Sequence, residues 1–209
     1  NHTYIQSDTA MASIPSVVLK VKDFFISTSY MTSPTYTFST YTDTIQIGGT
    51  PYTLKSETSA TRKELDVNMG YYVAPSLAFT LGYKTVDQNY HIRNSGTGLI
   101  TTVSDSTTTY KGPTIGVTGS ATVGGGFGIY GNAAYGLLET SYTGVTRTDD
   151  ATYVSTEVGL AYRPADWINL TLGYKNQTID TDEGDAVTYD VNPVTDTTKG
   201  FLLGANFIF

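Results

Sequence analysis

The chain has no cysteine, which excludes disulfides and thiolate metal sites. It is also poor in charge. Asp, Glu, Lys and Arg together make 15% of it, against about 25% in ordinary soluble domains. The scarcer sign is positive. Lys and Arg number 12 against 19 acids, the formal net charge is −7, and no basic cluster interleaves with aromatics, which argues against a nucleic-acid partner. No stretch approaches the roughly 18 apolar residues of a transmembrane helix. No signal-peptide pattern opens at Asn1, as expected of a cytosolic chain or of a mature one after cleavage.

What is abundant is glycine, with 21 copies, and tyrosine, with 17. A length of 209 residues suits one domain of the larger all-β kind. The mean hydropathy of −0.15 hides an alternation. In ADWINLTLGYKNQ, residues 165–177, Ile168, Leu170, Leu172 and Tyr174 fall on one face, and Asn169, Thr171, Gly173 and Lys175 on the other. That period of two is a strand. Leu65, Val67, Met69, Tyr71 and Val73 likewise oppose Glu64, Asp66, Asn68, Gly70 and Tyr72. The same reading holds for residues 77–84, 114–123, 127–137, 153–162 and 201–209. The poorest strand is 21–31, where Phe24, Ile26 and Tyr30 oppose Asp23 and Phe25.

The pattern predicts eight antiparallel strands in an all-β domain over 21–209, with 1–20 a leader of uncertain structure. Connections alternate short and long. The short ones are Ala74-Pro75-Ser76, Gly124-Gly125-Gly126 and Arg163-Pro164-Ala165-Asp166. The long ones cover 32–62, 93–108, 143–151 and 181–197, and TIQIGGTPYTL within the first reads as a hairpin of its own.

Alternation alone does not say which face is dry. Short turns on one side and long loops on the other match a transmembrane β-barrel, with short periplasmic turns and long extracellular loops. The polar face is too rich in glycine for a water-facing surface, and small residues suit a narrow interior. Aromatics recur near the ends of the apolar face, where amphipathic rings meet a membrane–water boundary. Tyr30, Tyr83, Tyr135, Tyr174, Tyr162 and Trp167 form the expected girdle. Apolar side chains are therefore expected to face lipid, with both chain ends on the turn side and the last strand closing on the first.

The ending GFLLGANFIF places Gly204, Phe207 and Phe209 at the spacing of the carboxy-terminal signal of bacterial outer-membrane proteins, with Leu202 where that signal has a polar residue. In its pattern of strands and loops the chain resembles small eight-stranded outer-membrane barrels of the OmpA/OmpX type. The resemblance implies an outer-membrane location and insertion by the barrel-assembly machinery.

Charges expected inside the barrel are Asp23, Glu64, Asp66, Lys84, Glu157, Arg163 and Lys175, which persist there only when paired. Lys63, Arg93, Lys111 and Lys199 share the parity of the lipid-facing residues and stand at loop-side strand ends. They are expected to mark a rim facing lipopolysaccharide phosphates. Other motifs carry less. Gly126-x-Gly128-x-x-Gly131 opens a strand, whereas a dinucleotide site needs it to open a helix. DTDEGD at 180–185 fails the calcium-loop template. His91 lies near Ser104, Asp105 and Ser106, but nothing in the sequence orients it as a base. No catalytic residue, metal or cofactor is assigned.

The expected function is a membrane scaffold whose surface loops recognise or adhere to an extracellular ligand. A narrow porin-like channel for ions or small solutes is the alternative. A lipid A-modifying enzyme stands third, and the chain is expected not to be an enzyme.

Overall fold

The computed structural model describes residues 6–47, 50–96, 101–144, 146, 148–182 and 194–207. The described chain is almost entirely strand. In order these are β1 (Ser16–Val21), β2 (Phe24–Thr32), β3 (Tyr36–Thr37), β4 (Tyr41–Ile47), β5 (Thr50–Ala74) and β6 (Leu77–Gly96). Then come β7 (Thr102–Gly124), β8 (Phe127–Tyr142), β9 (Thr148–Ala165), β10 (Ile168–Asp182) and β11 (Val194–Phe207). They make one sheet in the order β1-β2-β5-β6-β7-β8-β9-β10-β11, with β3 and β4 paired to β5 outside that path. Every ladder is antiparallel.

Where eight strands were expected, the described residues form eleven. Residues 16–21, of which 16–20 were expected to lie in a leader, form β1, which pairs with β2 from Ser16↔Ser29 to Val21↔Phe24. VVLKV is a β-branched run without clean alternation, so periodicity does not flag it. Because β1 runs toward the Lys22–Asp23 turn, the residues before it lie on the loop side. There Ser7 bridges Phe38, and Asp8 accepts hydrogen bonds from the Thr37 backbone N–H at 2.8 Å and its hydroxyl at 2.9 Å. Residues 6–8 thus lie on the loop side and not on the turn side, where both ends were expected.

The long loops are also mostly ladder. Residues 50–62 extend β5, 85–96 extend β6, and 102–113 extend β7. Thr, Ser and Tyr dominate 50–62 and 102–113, whereas 85–96 is a mixed polar run; such segments take strand once a neighbouring edge is available. Glycine closes the tightest turn, where Gly124, Gly125 and Gly126 all take positive φ (129°, 62° and 82°).

Among the described residues no ladder joins β1 to β11, so closure by strand pairing, as expected of an eight-stranded barrel, is not what the sheet displays. The sheet is nevertheless rolled. Arg62 on β5 reaches Asp196 on β11 at 2.7 Å, and Gln177 on β10 reaches Glu64 on β5 at 2.7 Å. Such contacts require the concave face to wrap around a shared interior. The convex face carries the apolar side chains: Leu81 is 55% exposed and Val158 64%, while Glu64 is 2%. No described helix is long and apolar enough to cross a membrane. The dry surface is instead an outward belt of Leu, Val, Ile, Phe and Tyr, far larger than a soluble monomer leaves uncovered.

Candidate functional site: a filled interior and a polar outer wall

The interior is filled in two ways. Toward the turns, rings lie over glycines. A Cβ on Gly159 would meet the Tyr130 ring at 2.5 Å, one on Gly173 would run into the Tyr130 hydroxyl, and one on Gly70 into the Phe25 ring. The Tyr130 hydroxyl lies beside Glu157 and Thr171. Phe25 also packs on Tyr72, centroids 5.4 Å apart, and the Lys20 ammonium stands 4.1 Å over the Tyr72 ring.

Toward the loops the filling is ionic and apolar. Glu64 accepts from Arg62 Nε at 2.6 Å, from Gln177 Nε2 at 2.7 Å and from Lys84 Nζ at 2.7 Å. Lys84 also donates to Asp66 at 3.1 Å and lies 5.0 Å from the Tyr153 ring centre. Arg62 Nη1 donates to Asp196 at 2.7 Å and Gln88 at 3.2 Å, and Gln88 donates to the Tyr36 hydroxyl at 3.1 Å. Beside this network Val86, Tyr110, Leu138, Ala151, Tyr153 and Ile179 form a buried apolar cluster. Charges buried in this way persist because each acid meets a base, and Glu64 also accepts from the Gln177 amide, although Arg62 Nη2 is buried with no hydrogen-bond partner among the described residues.

Of the seven charges expected inside, Glu64, Asp66 and Lys84 meet directly. Glu157 and Lys175 face each other in register on β9 and β10, both half-buried. Asp23 and Arg163 do not belong to the interior. Asp23 sits exposed in the β1–β2 turn, and Arg163 is paired with its neighbour Asp166 at 3.4 Å near the surface. Both stand at strand ends, where the alternation that assigned them runs out into a turn. Arg62, Gln88, Gln177 and Asp196 were not foreseen. Arg62 shares the parity of Glu64, so carrying the β5 alternation two residues upstream finds it; Asp196 fell in an expected loop.

The girdle tyrosines 30, 83, 135, 162 and 174 and Trp167 are all exposed on the convex side. Lys63, Lys111 and Lys199 are exposed, opposite Asp87, Glu139 and Asn176 respectively. Arg93 is also exposed but stands six positions beyond Asp87 on β6, roughly 20 Å further along the strand. It does not share their level. Of the carboxy-terminal signal, Gly204 and Phe207 lie in β11; Phe209 lies outside the described residues, as do 183–185 of the acidic loop 180–185.

Beyond the belt, the convex wall of β5, β6 and β7 is polar. His91 and Asp105 face each other in register, Nδ1 to Oδ1 at 2.6 Å, and Thr107 Oγ1 donates to Asn89 Oδ1 at 2.7 Å. These side chains line a shallow pocket of about 360 Å³ together with Ser59, Thr61 and Tyr90. The Tyr90 ring itself lies on the concave face, near Tyr36, Tyr110 and Asp196, where burial pushes its hydroxyl above its ordinary pKa. Among the described residues no group of acids and histidines is placed to hold a metal.

No family model matches the sequence, and none of the curated proteins does. Solved structures do match. The outer-membrane protease OmpT of Escherichia coli is 15% identical, with 88% of this chain and 76% of that one covered at a TM-score of 0.51. The fold is that of an outer-membrane β-barrel. The translocator domain of the autotransporter NalP from Neisseria meningitidis is 14% identical over 100% of this chain and 78% of that one, at a TM-score of 0.43. The toluene transporter TbuX of Ralstonia pickettii is 13% identical over 92% and 64%, at 0.41. With this fold and its exposed apolar belt, the chain is a protein of the bacterial outer membrane.

The expectation that the chain is not an enzyme is overturned. The fold it shares is one that carries a protease. The expectation also rested on the lack of any group to orient His91, and Asp105 stands 2.6 Å from its ring. Sequence reasoning set His91 near Asp105 but could not orient it, because that needs the β6–β7 register, which runs through a segment assigned to a loop.

Proposed function

We propose that the protein is a plugged outer-membrane scaffold that carries a recognition surface on its outer extension. The observation that carries this reading is the continuation of the β5–β6–β7 ladders well past the belt, with polar convex walls. A transmembrane strand needs about 9–11 residues, and β5 has 25. Lys63, Lys111 and Lys199 stand where the apolar wall ends and would meet lipopolysaccharide phosphates. Serine at all three should weaken lipopolysaccharide co-purification; unchanged co-purification removes the rim.

The Arg62–Glu64–Lys84 network and the Tyr130 ring fill the interior, which supports a scaffold over a channel. Refolded protein in a planar bilayer should give no stable conductance. Discrete openings would replace the scaffold with the narrow-channel reading.

A second reading is hydrolysis on the outer wall, favoured by the His91–Asp105 geometry. An oriented imidazole can activate water as a general base, with the carboxylate holding its tautomer. The OmpT fold likeness makes peptides one substrate class to assay; lipid A is the other. Turnover that stops with His91→Ala supports this reading, and turnover unaffected by that change discards it.

A further inference from the structure

We infer that the pocket on the outer wall of β5, β6 and β7 binds a saccharide, and that the nearest source is the sugar of the surrounding lipopolysaccharide. This rests on the recognition reading above and names its ligand. The pocket holds about 360 Å³. Its walls supply paired donors and acceptors, the valence pattern of vicinal hydroxyls. Asn89 spends its carbonyl oxygen on Thr107. That leaves both carboxamide N–H donors unspent among the described residues. His91 spends Nδ1 on Asp105 Oδ1, leaving Nε2 and the second carboxylate oxygen. Asn89 and His91 lie two positions apart on one face of β6, about 7 Å along the strand, so these groups address one small ligand. Ser59, Thr61 and Thr107 add hydroxyls.

The same inventory argues against other ligands. No Lys or Arg lines the pocket, and the Asp105 carboxylate repels a phosphate.

Level selects the source. Thr61 and Ser59 are two and four positions beyond Lys63 on β5, about 7 and 13 Å further out. Lipopolysaccharide carries phosphates beside its acyl chains and sugars further out. The lysines therefore meet the phosphate layer, and the pocket meets the first sugars.

The test titrates refolded protein in detergent micelles, followed by calorimetry. The probes are lipid-free core oligosaccharide released from lipopolysaccharide by mild acid, mannopentaose as a glycan of another surface, inorganic phosphate, and a neutral Gly-Ser peptide. Core oligosaccharide should bind, and Asn89→Ala and Thr107→Val should each weaken it at least tenfold. Both positions are on the wall of a ladder, and an unchanged heat-dependent gel shift verifies that each variant folds. Mannopentaose binding without core oligosaccharide keeps the saccharide chemistry but overturns the lipopolysaccharide source. Binding of neither sugar, core-oligosaccharide binding left unchanged in both variants, competition by phosphate, or binding of the peptide alone overturns the inference. Bilayer conductance of the same preparation reads the scaffold proposal separately, so the two fail by different signals.

Discussion

The two halves of the interior solve one problem with opposite chemistry. Near the turns, Tyr130 and Phe25 lie on bare glycine backbone. Near the loops, Arg62, Glu64 and Lys84 sit among glutamines and a tyrosine-bordered apolar cluster. The first solution removes side chains until a ring fits. The second keeps long polar side chains and pairs them. The contrast predicts different failures: the turn half is intolerant of added volume, the loop half of lost charge.

The largest expected effect breaks the loop half. Glu64→Ala leaves Arg62 and Lys84 buried without their shared partner and should cost about 3–5 kcal/mol in urea unfolding from lipid vesicles. Replacing Glu64 and Lys84 together by Leu and Met removes the charges as a pair and should recover most of that loss. If the double variant is as unstable as the single one, the half is not organised by charge pairing.

A middle-sized effect breaks the turn half. Gly173→Ala puts a methyl against the Tyr130 hydroxyl and should cost about 1–3 kcal/mol in the same assay. In a Tyr130→Ala background the added cost should largely vanish. Equal cost in both backgrounds would place the requirement in the backbone and not in the ring. The smallest effect sharpens the boundary. Arg163→Ala removes only an exposed pair with Asp166 and should change stability by less than about 1 kcal/mol. A larger loss would bring Arg163 back into the interior.

The convex face was readable from sequence because its period of two is uninterrupted between Leu65 and Val73 or Leu77 and Tyr83. Lipid demands that regularity of every span. The interior was half-readable. Glu64, Asp66 and Lys84 carry formal charge and so drew attention, whereas Gln88 and Gln177, which complete the network, do not. The outer ladders were misread as loops because Thr- and Ser-rich strands lack apolar contrast. Their pairing follows from the neighbouring edge, which a single sequence does not display. The His91–Asp105 contact depends on that register and was invisible for the same reason. β1 escaped because its continuous apolar run fits no alternating template.

The contacts from Arg62 to Asp196 and from Gln177 to Glu64 span 134 and 113 residues of chain. They form only once the last strands have come round beside β5, and loop-closure entropy is spent before they contribute. They act as a clasp: a chain interrupted before β11 keeps its hairpins but leaves Arg62 without its Asp196 counter-ion. Completion of the roll is thereby tied to neutralising that cation, which gives a half-inserted protein an electrostatic reason to finish.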